Sequence, residues 1–304
     1  MLVWTPSDWA AAGLTGLAGV DVEIVDTGTV GELPGTVADV EFYVPSFFPS
    51  ASVAAAMGHM PKLRVVQTLT AGVDALRPSV PSGVLLCNAR GAHDASTAEW
   101  VVTATLASLR DFPQFTRDQD AGRWAYRHTD ALCEKTVLIV GYGSIGAAVE
   151  RRLAGFEVDV LRVARRPREG VRPISELPAL LPVADVVVLL VPFTESTAGM
   201  ADAGFLASMK DGALLINAAR GPVVDTPALL AELSRGRLRA AMDVTSPEPL
   251  PADHPLWTAP GVLITPHVAA STPVSARRAA DLVRSQVMAF LRGDPLVNVI
   301  SDAY

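Results

Sequence analysis

Three side chains in the last third of the sequence have the types needed to reduce a carbonyl that stands next to a carboxylate: Arg220, Glu248 and His267. An imidazole gives and takes protons near neutral pH, so His267 can protonate the carbonyl oxygen while a hydride reaches the carbon. A guanidinium such as Arg220 holds a carboxylate through two parallel hydrogen bonds and stabilises charge that develops on the oxygen. A carboxylate such as Glu248 beside the imidazole orients the ring and balances its protonated form. Taken singly, each has an ordinary alternative: a surface ion pair, a solvated loop acid, a capping or core histidine. Their joint placement outweighs those alternatives. Each comes after an apolar run that reads as a strand, at 213–217, 238–243 and 262–265. Open parallel sheets bind their ligands beyond the carboxyl ends of such strands.

The elements that must position these groups are legible from residue 135 onward. Apolar runs at 136–140, 158–163, 184–191, 213–217, 238–243 and 262–265 alternate with helical patterns at 144–153, 174–181 and 226–234. That rhythm predicts about six parallel strands joined by crossover helices. The first ninety residues carry shorter runs at 1–4, 22–25, 40–44, 65–68 and 84–88 without a glycine-rich loop, which predicts a smaller partner domain. Amphipathic stretches at 96–108 and 272–291 flank the larger domain, as crossing helices would if one domain is inserted into another. The expected class is α/β, with residues 1–96 plus 273–304 in one domain and 97–272 in the other.

Between the first strand and the first helix of the larger domain stands Gly141-Tyr142-Gly143-Ser144-Ile145-Gly146. Three glycines at this spacing allow a tight turn, close approach of the backbone to a pyrophosphate, and close packing of helix on strand. A flexible turn alone is the plainer alternative, but the strand before it and the helix after it favour a dinucleotide site. Just after the second strand, where an NAD-specific site carries an acid for the ribose 2′-hydroxyl, stands Ala164, and Arg165 and Arg166 follow. Without that carboxylate, two guanidinium groups can clamp a 2′-phosphate, so NADP(H) is the expected cofactor, with NAD(H) also possible.

Together these segments resemble the D-isomer-specific 2-hydroxyacid dehydrogenase family, from about residue 63 to the C-terminus. Leu69-Thr70-Ala71-Gly72-Val73-Asp74 looks like the family's substrate loop, and Thr97-Ala98-Glu99 like the segment that enters the cofactor domain. The resemblance implies a Rossmann-type doubly wound sheet inserted into a flavodoxin-like substrate domain. It implies that Arg220 binds substrate, that His267 is the acid/base paired with Glu248, and that amides around Ala71, Gly72 and Val73 receive the substrate carboxylate. Asp243 would approach the nicotinamide carboxamide, Pro192 and Thr197 would line the cofactor cleft, and Ala218, Ala219, Arg220 and His267 would complete the cofactor contacts. It further implies a homodimer. The missing acid at Ala164 departs from the NAD-linked members and brings the chain closer to NADPH-using glyoxylate and hydroxypyruvate reductases. Phe47, Phe48 and Arg90 are candidate pocket residues, forming either a small pocket or an apolar wall for a longer side chain.

Bulk properties narrow the alternatives. The net charge of −7 comes without a basic run, which argues against nucleic acid and anionic membranes as partners. No apolar run approaches the ~20 residues of a membrane span, so the cytoplasm is the expected location. Cys87 and Cys133 are too few for a disulfide framework, and no metal-ligand spacing is present. A nicotinamide-sensing, corepressor-like protein of the same fold is the alternative function. A methyltransferase sharing the glycine loop would have no use for Arg220, Glu248 and His267.

Overall fold

The computed structural model describes residues 1–47 and 51–301; Phe48 lies outside the described residues. The chain divides into two compact units, Met1–His93 with Thr272–Tyr304, and Asp94–Ser271. The division falls at helix caps: Asp94 opens one helix and Thr272 caps another, accepting a hydrogen bond from the Ser275 amide at 3.2 Å.

In the first unit, strands β1 (Leu2–Thr5), β2 (Asp21–Ile24), β3 (Val40–Tyr43), β4 (Val65–Gln67) and β5 (Leu85–Cys87) pair in parallel in the order β2-β1-β3-β4-β5. This is the flavodoxin-like order. The C-terminal helix Pro273–Arg292 places Ala279, Val283 and Val287 against Val3, Phe42 and Val65 on one face. On the other face, helix α1 (Ala51–Met57) packs Val53 and Met57 with Trp4 and Tyr43. Buried Gln286 donates to Gln67 Oε1 at 2.9 Å and to the Val297 carbonyl at 2.8 Å, which ties the last residues to β4.

The second unit opens with helices α2 (Asp94–Leu109) and α3 (Phe112–Asp120) and builds a seven-stranded parallel sheet. Its strands are β6 (Thr136–Val140), β7 (Asp159–Ala164), β8 (Arg172–Pro173), β9 (Val186–Leu189), β10 (Leu214–Asn217), β11 (Arg239–Met242) and β12 (Val262–Ile264). The order β12-β11-β10-β9-β6-β7-β8 reverses direction between β6 and β9, and a doubly wound sheet opens its ligand crevice at such a switch point. All four residues of β9 are fully buried, as a strand covered by helices on both faces requires. The sequence reading lacks helix α3 and differs at two points in and beside the sheet. The edge strand β8 escapes detection because it is two residues long and contains Pro173. The helical pattern at 174–181 breaks into short turns, with only Leu177–Leu180 α-helical, because Pro178 and Pro182 each remove a backbone donor.

At the N-terminal edge of this sheet, Asp185 accepts hydrogen bonds from the Thr136 amide at 2.9 Å and from Lys210 Nζ at 2.7 Å. Burial raises the Asp185 pKa, but the lysine and the amide outweigh it and hold the carboxyl below the usual carboxylate range. A depressed folded-state pKa stabilises the fold above the unfolded-state value and loses that contribution as pH falls through the folded one. Asp185→Asn is therefore expected to cost about 1 kcal/mol, a drop of roughly 2–4 °C in Tm at pH 7. The gap to the parent should close as melts followed by circular dichroism are taken below about pH 4.

Candidate active site

The glycine loop connects β6 to helix α4 (Ser144–Leu153) at the switch point. Gly141 has φ +101°, and a Cβ there would stand 2.5 Å from the carbonyl carbon of Leu190 and 2.6 Å from the Val191 nitrogen. Only glycine lets the end of β9 pass this close. Gly143 caps α4, and a Cβ at Gly143 would meet nothing within 4 Å. The space over the first turn of α4 is thus open, and the amides of that turn have no partners within the helix. This is a cradle for an anion and fits the pyrophosphate of a dinucleotide. Beneath it Ile145 packs into the core, and Gly146 lies tight against Ile139, whose methyl would be 3.2 Å from an added Cβ. Ser144 Oγ donates to Asp94 at 3.1 Å.

The cradle is bordered by two further loops. Ala164 ends β7, and Arg165 and Arg166 follow, both exposed. After β9, Pro192 is exposed, while Thr197 is buried and works within its own loop: its hydroxyl donates to the Pro192 carbonyl at 2.7 Å and accepts from the Thr194 amide at 2.8 Å. Thr197 therefore shapes the loop that carries Pro192.

The three chemical groups come from consecutive strand ends: Arg220 after β10, Glu248 after β11 and His267 after β12. Glu248 Oε1 lies 2.6 Å from His267 Nδ1, which leaves Nε2 as the ring nitrogen turned away from the carboxylate. Both side chains are partly exposed, and ion pairs of that kind contribute about 1 kcal/mol or less to stability. The contact is thus better understood as orienting the ring than as holding the fold together. His267 has φ +54°, a left-handed conformation that costs a non-glycine residue roughly 1–2 kcal/mol. Asp243, buried at the end of β11, offsets that cost. Its carboxylate accepts from Thr265 Oγ1 at 2.6 Å and from the Val268 and Ala269 amides at 2.9 Å each, and its carbonyl accepts from the His267 amide at 2.7 Å. Trp100 Nε1 extends the chain by donating to Thr265 Oγ1 at 3.0 Å. Asp243 is thereby committed to the histidine loop.

In the first unit, the segment containing Ala71, Gly72 and Val73 has its carbonyls tied down. The Thr70 carbonyl accepts from the Ala89 amide at 2.8 Å, the Ala71 carbonyl from Asn88 Nδ2 at 2.7 Å, and the Gly72 carbonyl from Thr70 Oγ1 at 2.7 Å. Phe47 meets His93 edge to face at 5.7 Å, and Arg90 is exposed.

Residues 102–269 match the family description "D-isomer specific 2-hydroxyacid dehydrogenase, NAD binding domain". The chain belongs to the D-isomer-specific 2-hydroxyacid dehydrogenases. It is similar to the glyoxylate reductase of Thermofilum pendens, with 33% identity over 79% of this chain and 76% of that protein. The human glyoxylate reductase/hydroxypyruvate reductase is 33% identical over 77% of this chain and 76% of its own length. Among solved structures, the D-isomer specific 2-hydroxyacid dehydrogenase from Xanthobacter autotrophicus Py2 in complex with NADPH and MES superposes with a TM-score of 0.84. It is 34% identical, with coverage of 99% of this chain and 97% of that one. The dehydrogenase is thus a nicotinamide-dependent oxidoreductase, and these relatives give no support to the sensing alternative.

Two residues that hold the dehydrogenase's Arg220 in place escape a reading of residue types alone. Buried Asn217 braces the turn after β10: its Oδ1 accepts from the Ala219 amide at 3.0 Å and its Nδ2 donates to the Arg220 carbonyl at 3.1 Å. The flanking Ala218 is half-buried and Ala219 buried. Gly221 lies so close to the loop after β11 that an added Cβ would stand 1.8 Å from the Thr245 carbonyl oxygen. Backbone on both sides leaves nothing flexible to yield. Gly221→Ala is expected to displace Arg220, lowering kcat/KM for the keto acid at least tenfold and Tm with it. Steady-state kinetics beside a thermal melt check this, and an alanine variant with parental kinetics would contradict the positioning role.

Proposed function

We propose that the dehydrogenase reduces a small 2-keto acid of the glyoxylate and hydroxypyruvate class to the 2-hydroxy acid, with NADPH preferred and NADH accepted. The observation that carries this reading is the His267–Glu248 pair, set at the same sheet edge as Arg220. Gly141, Tyr142, Gly143, Ser144, Ile145 and Gly146 would hold the cofactor's pyrophosphate, Arg165 and Arg166 would face the 2′-phosphate beside Ala164, and Pro192, Ala218 and Ala219 would border the cleft. When bound, the reduced nicotinamide supplies the hydride. His267 gives its proton to the carbonyl oxygen, Glu248 keeps the ring aimed, and Arg220 steadies the charge that builds on that oxygen. In the first unit, the amides of Ala71, Gly72 and Val73 are assigned the substrate carboxylate. Both cysteines are free thiols, in keeping with a reducing compartment, and we assign the protein to the cytoplasm.

Consumption of NADPH, followed by its near-ultraviolet absorbance, is expected with glyoxylate or hydroxypyruvate and to be weaker with phenylpyruvate. His267→Gln should lower kcat by about 10²–10⁴. A His267→Gln enzyme with parental kcat would remove the histidine from the chemistry, and silence across the keto acids would remove the substrate class.

We further propose a homodimer. After α3 the chain runs without regular structure through residues 123–131. This arm is held by Asp118, which accepts from Gln114 at 3.1 Å and from Arg123 at 2.7 Å and also bonds Arg127, whose guanidinium lies 4.4 Å over the Phe115 ring. The braced arm nevertheless displays Trp124, 99% exposed, and Tyr126, 80% exposed. Aromatic groups held in water this way are typical of surfaces that a partner covers. Light scattering after gel filtration should show a dimer, and Trp124→Ser together with Tyr126→Ser should shift it to monomer. A monomeric parent protein would refute the assignment.

A further inference from the structure

Tyr142 occupies the middle of the glycine loop, and two guanidinium groups lie over its ring, that of Arg162 at 5.8 Å and that of Arg168 at 5.4 Å from the centroid. The two arginines differ in what balances them. Arg162 forms a fork with Glu150, its Nε donating to Oε2 at 2.9 Å, and Tyr142 also donates its hydroxyl to Glu150. The Arg162 guanidinium holds the Glu150 carboxyl below the usual range, so the charge of Arg162 is balanced by its own carboxylate. Arg168 is exposed, and among the described residues no carboxylate lies within ion-pair distance of it.

Arg168 is nonetheless fixed. Its amide donates to the Val171 carbonyl at 3.2 Å and its carbonyl accepts from the Val171 amide at 2.8 Å, closing a tight turn over Gly170, which has φ +70°. Val171 is buried and anchors that turn. At the other end of the side chain, Nη2 donates to the Tyr142 carbonyl at 2.8 Å. The guanidinium therefore reaches from the loop after β7 back to the glycine loop. In a dinucleotide fold, the ribose 2′-position lies at the end of the second strand, here Ala164, and the pyrophosphate lies on the glycine loop. An uncompensated, pre-positioned cation between these two points has most of its five N–H donors available and loses little freedom on binding an anion.

We propose that Arg168, mounted on the Tyr142 ring and carbonyl, is a specificity-determining residue of this enzyme, selecting cofactors that bear a 2′-phosphate. The proposal rests on the NADPH preference argued above and adds a third arginine, and its platform, to Arg165 and Arg166. A charge-assisted hydrogen bond to phosphate is strong enough to shift affinity by about tenfold to a hundredfold. Arg168→Gln is expected to lower the NADPH:NADH ratio of kcat/KM by that factor, and to raise Kd for NADPH relative to NADH in fluorescence titrations without substrate. Arg168→Lys, which keeps the charge but not the fork, should fall between. Tyr142→Phe retains ring and carbonyl and should keep the ratio, whereas Tyr142→Gly should lower it.

The outcomes separate the two readings. A parent enzyme that favours NADH overturns the NADPH preference, and this proposal with it. A parent that favours NADPH, with an Arg168→Gln variant whose ratio stays within twofold of the parent, leaves the preference standing and overturns the role of Arg168.

Discussion

A buried carboxylate just past β11 organises the sheet edge where the candidate active site lies. Asp243 gathers three donors from residues 265–269, and its backbone carbonyl takes a fourth, the amide of His267. In a low-dielectric setting such bonds are strong, and leaving a buried charge unpaired is costly, so the loop has one stable arrangement rather than several. That arrangement forces His267 into a left-handed backbone and presents its ring to Glu248. The geometry of the proposed acid/base pair thus follows from the residue just past one strand holding the loop that leaves the next strand.

The parallel sheet supplies the other half of the logic. Because β9, β10, β11 and β12 are neighbours that run the same way, every loop leaving their carboxyl ends opens on one edge. The sheet's own order then determines which loops meet: Pro192 after β9 beside Arg220 after β10, beside Glu248 after β11, beside His267 after β12. Close backbone approaches keep these loops in register, Gly141 against Leu190 and Gly221 against Thr245, where even one methyl group has no room.

Much of this is legible in the sequence, and the limits have physical causes. Strands such as β9 stand out because burial on both faces demands an unbroken apolar run, whereas β8 pairs through two residues and leaves no period to detect. Arg220, Glu248 and His267 stand out as candidates because keto-acid reduction calls for those types, and each follows a strand. Asn217, Gly221 and Trp100 are not, since their roles depend on which distant backbone comes close, and no local spacing encodes that. Helix α3 escapes for a related reason: it is a short, largely polar segment whose large apolar side chains are Phe112 and Phe115, and its Asp118 matters only through arginines that follow the helix. Arg168 lies just two residues beyond the arginines that the sequence singles out; what distinguishes it is contact with Tyr142, which only the folded turn creates.

The loop after β7 has a consequence for how such an enzyme changes over generations. Residues 165–170 are all exposed, while the Tyr142, Glu150 and Arg162 cluster beneath them is satisfied from within. Substitutions in that loop meet little resistance from folding, so a cofactor preference of the kind proposed for it is open to drift and reversal in a lineage while the sheet below stays untouched.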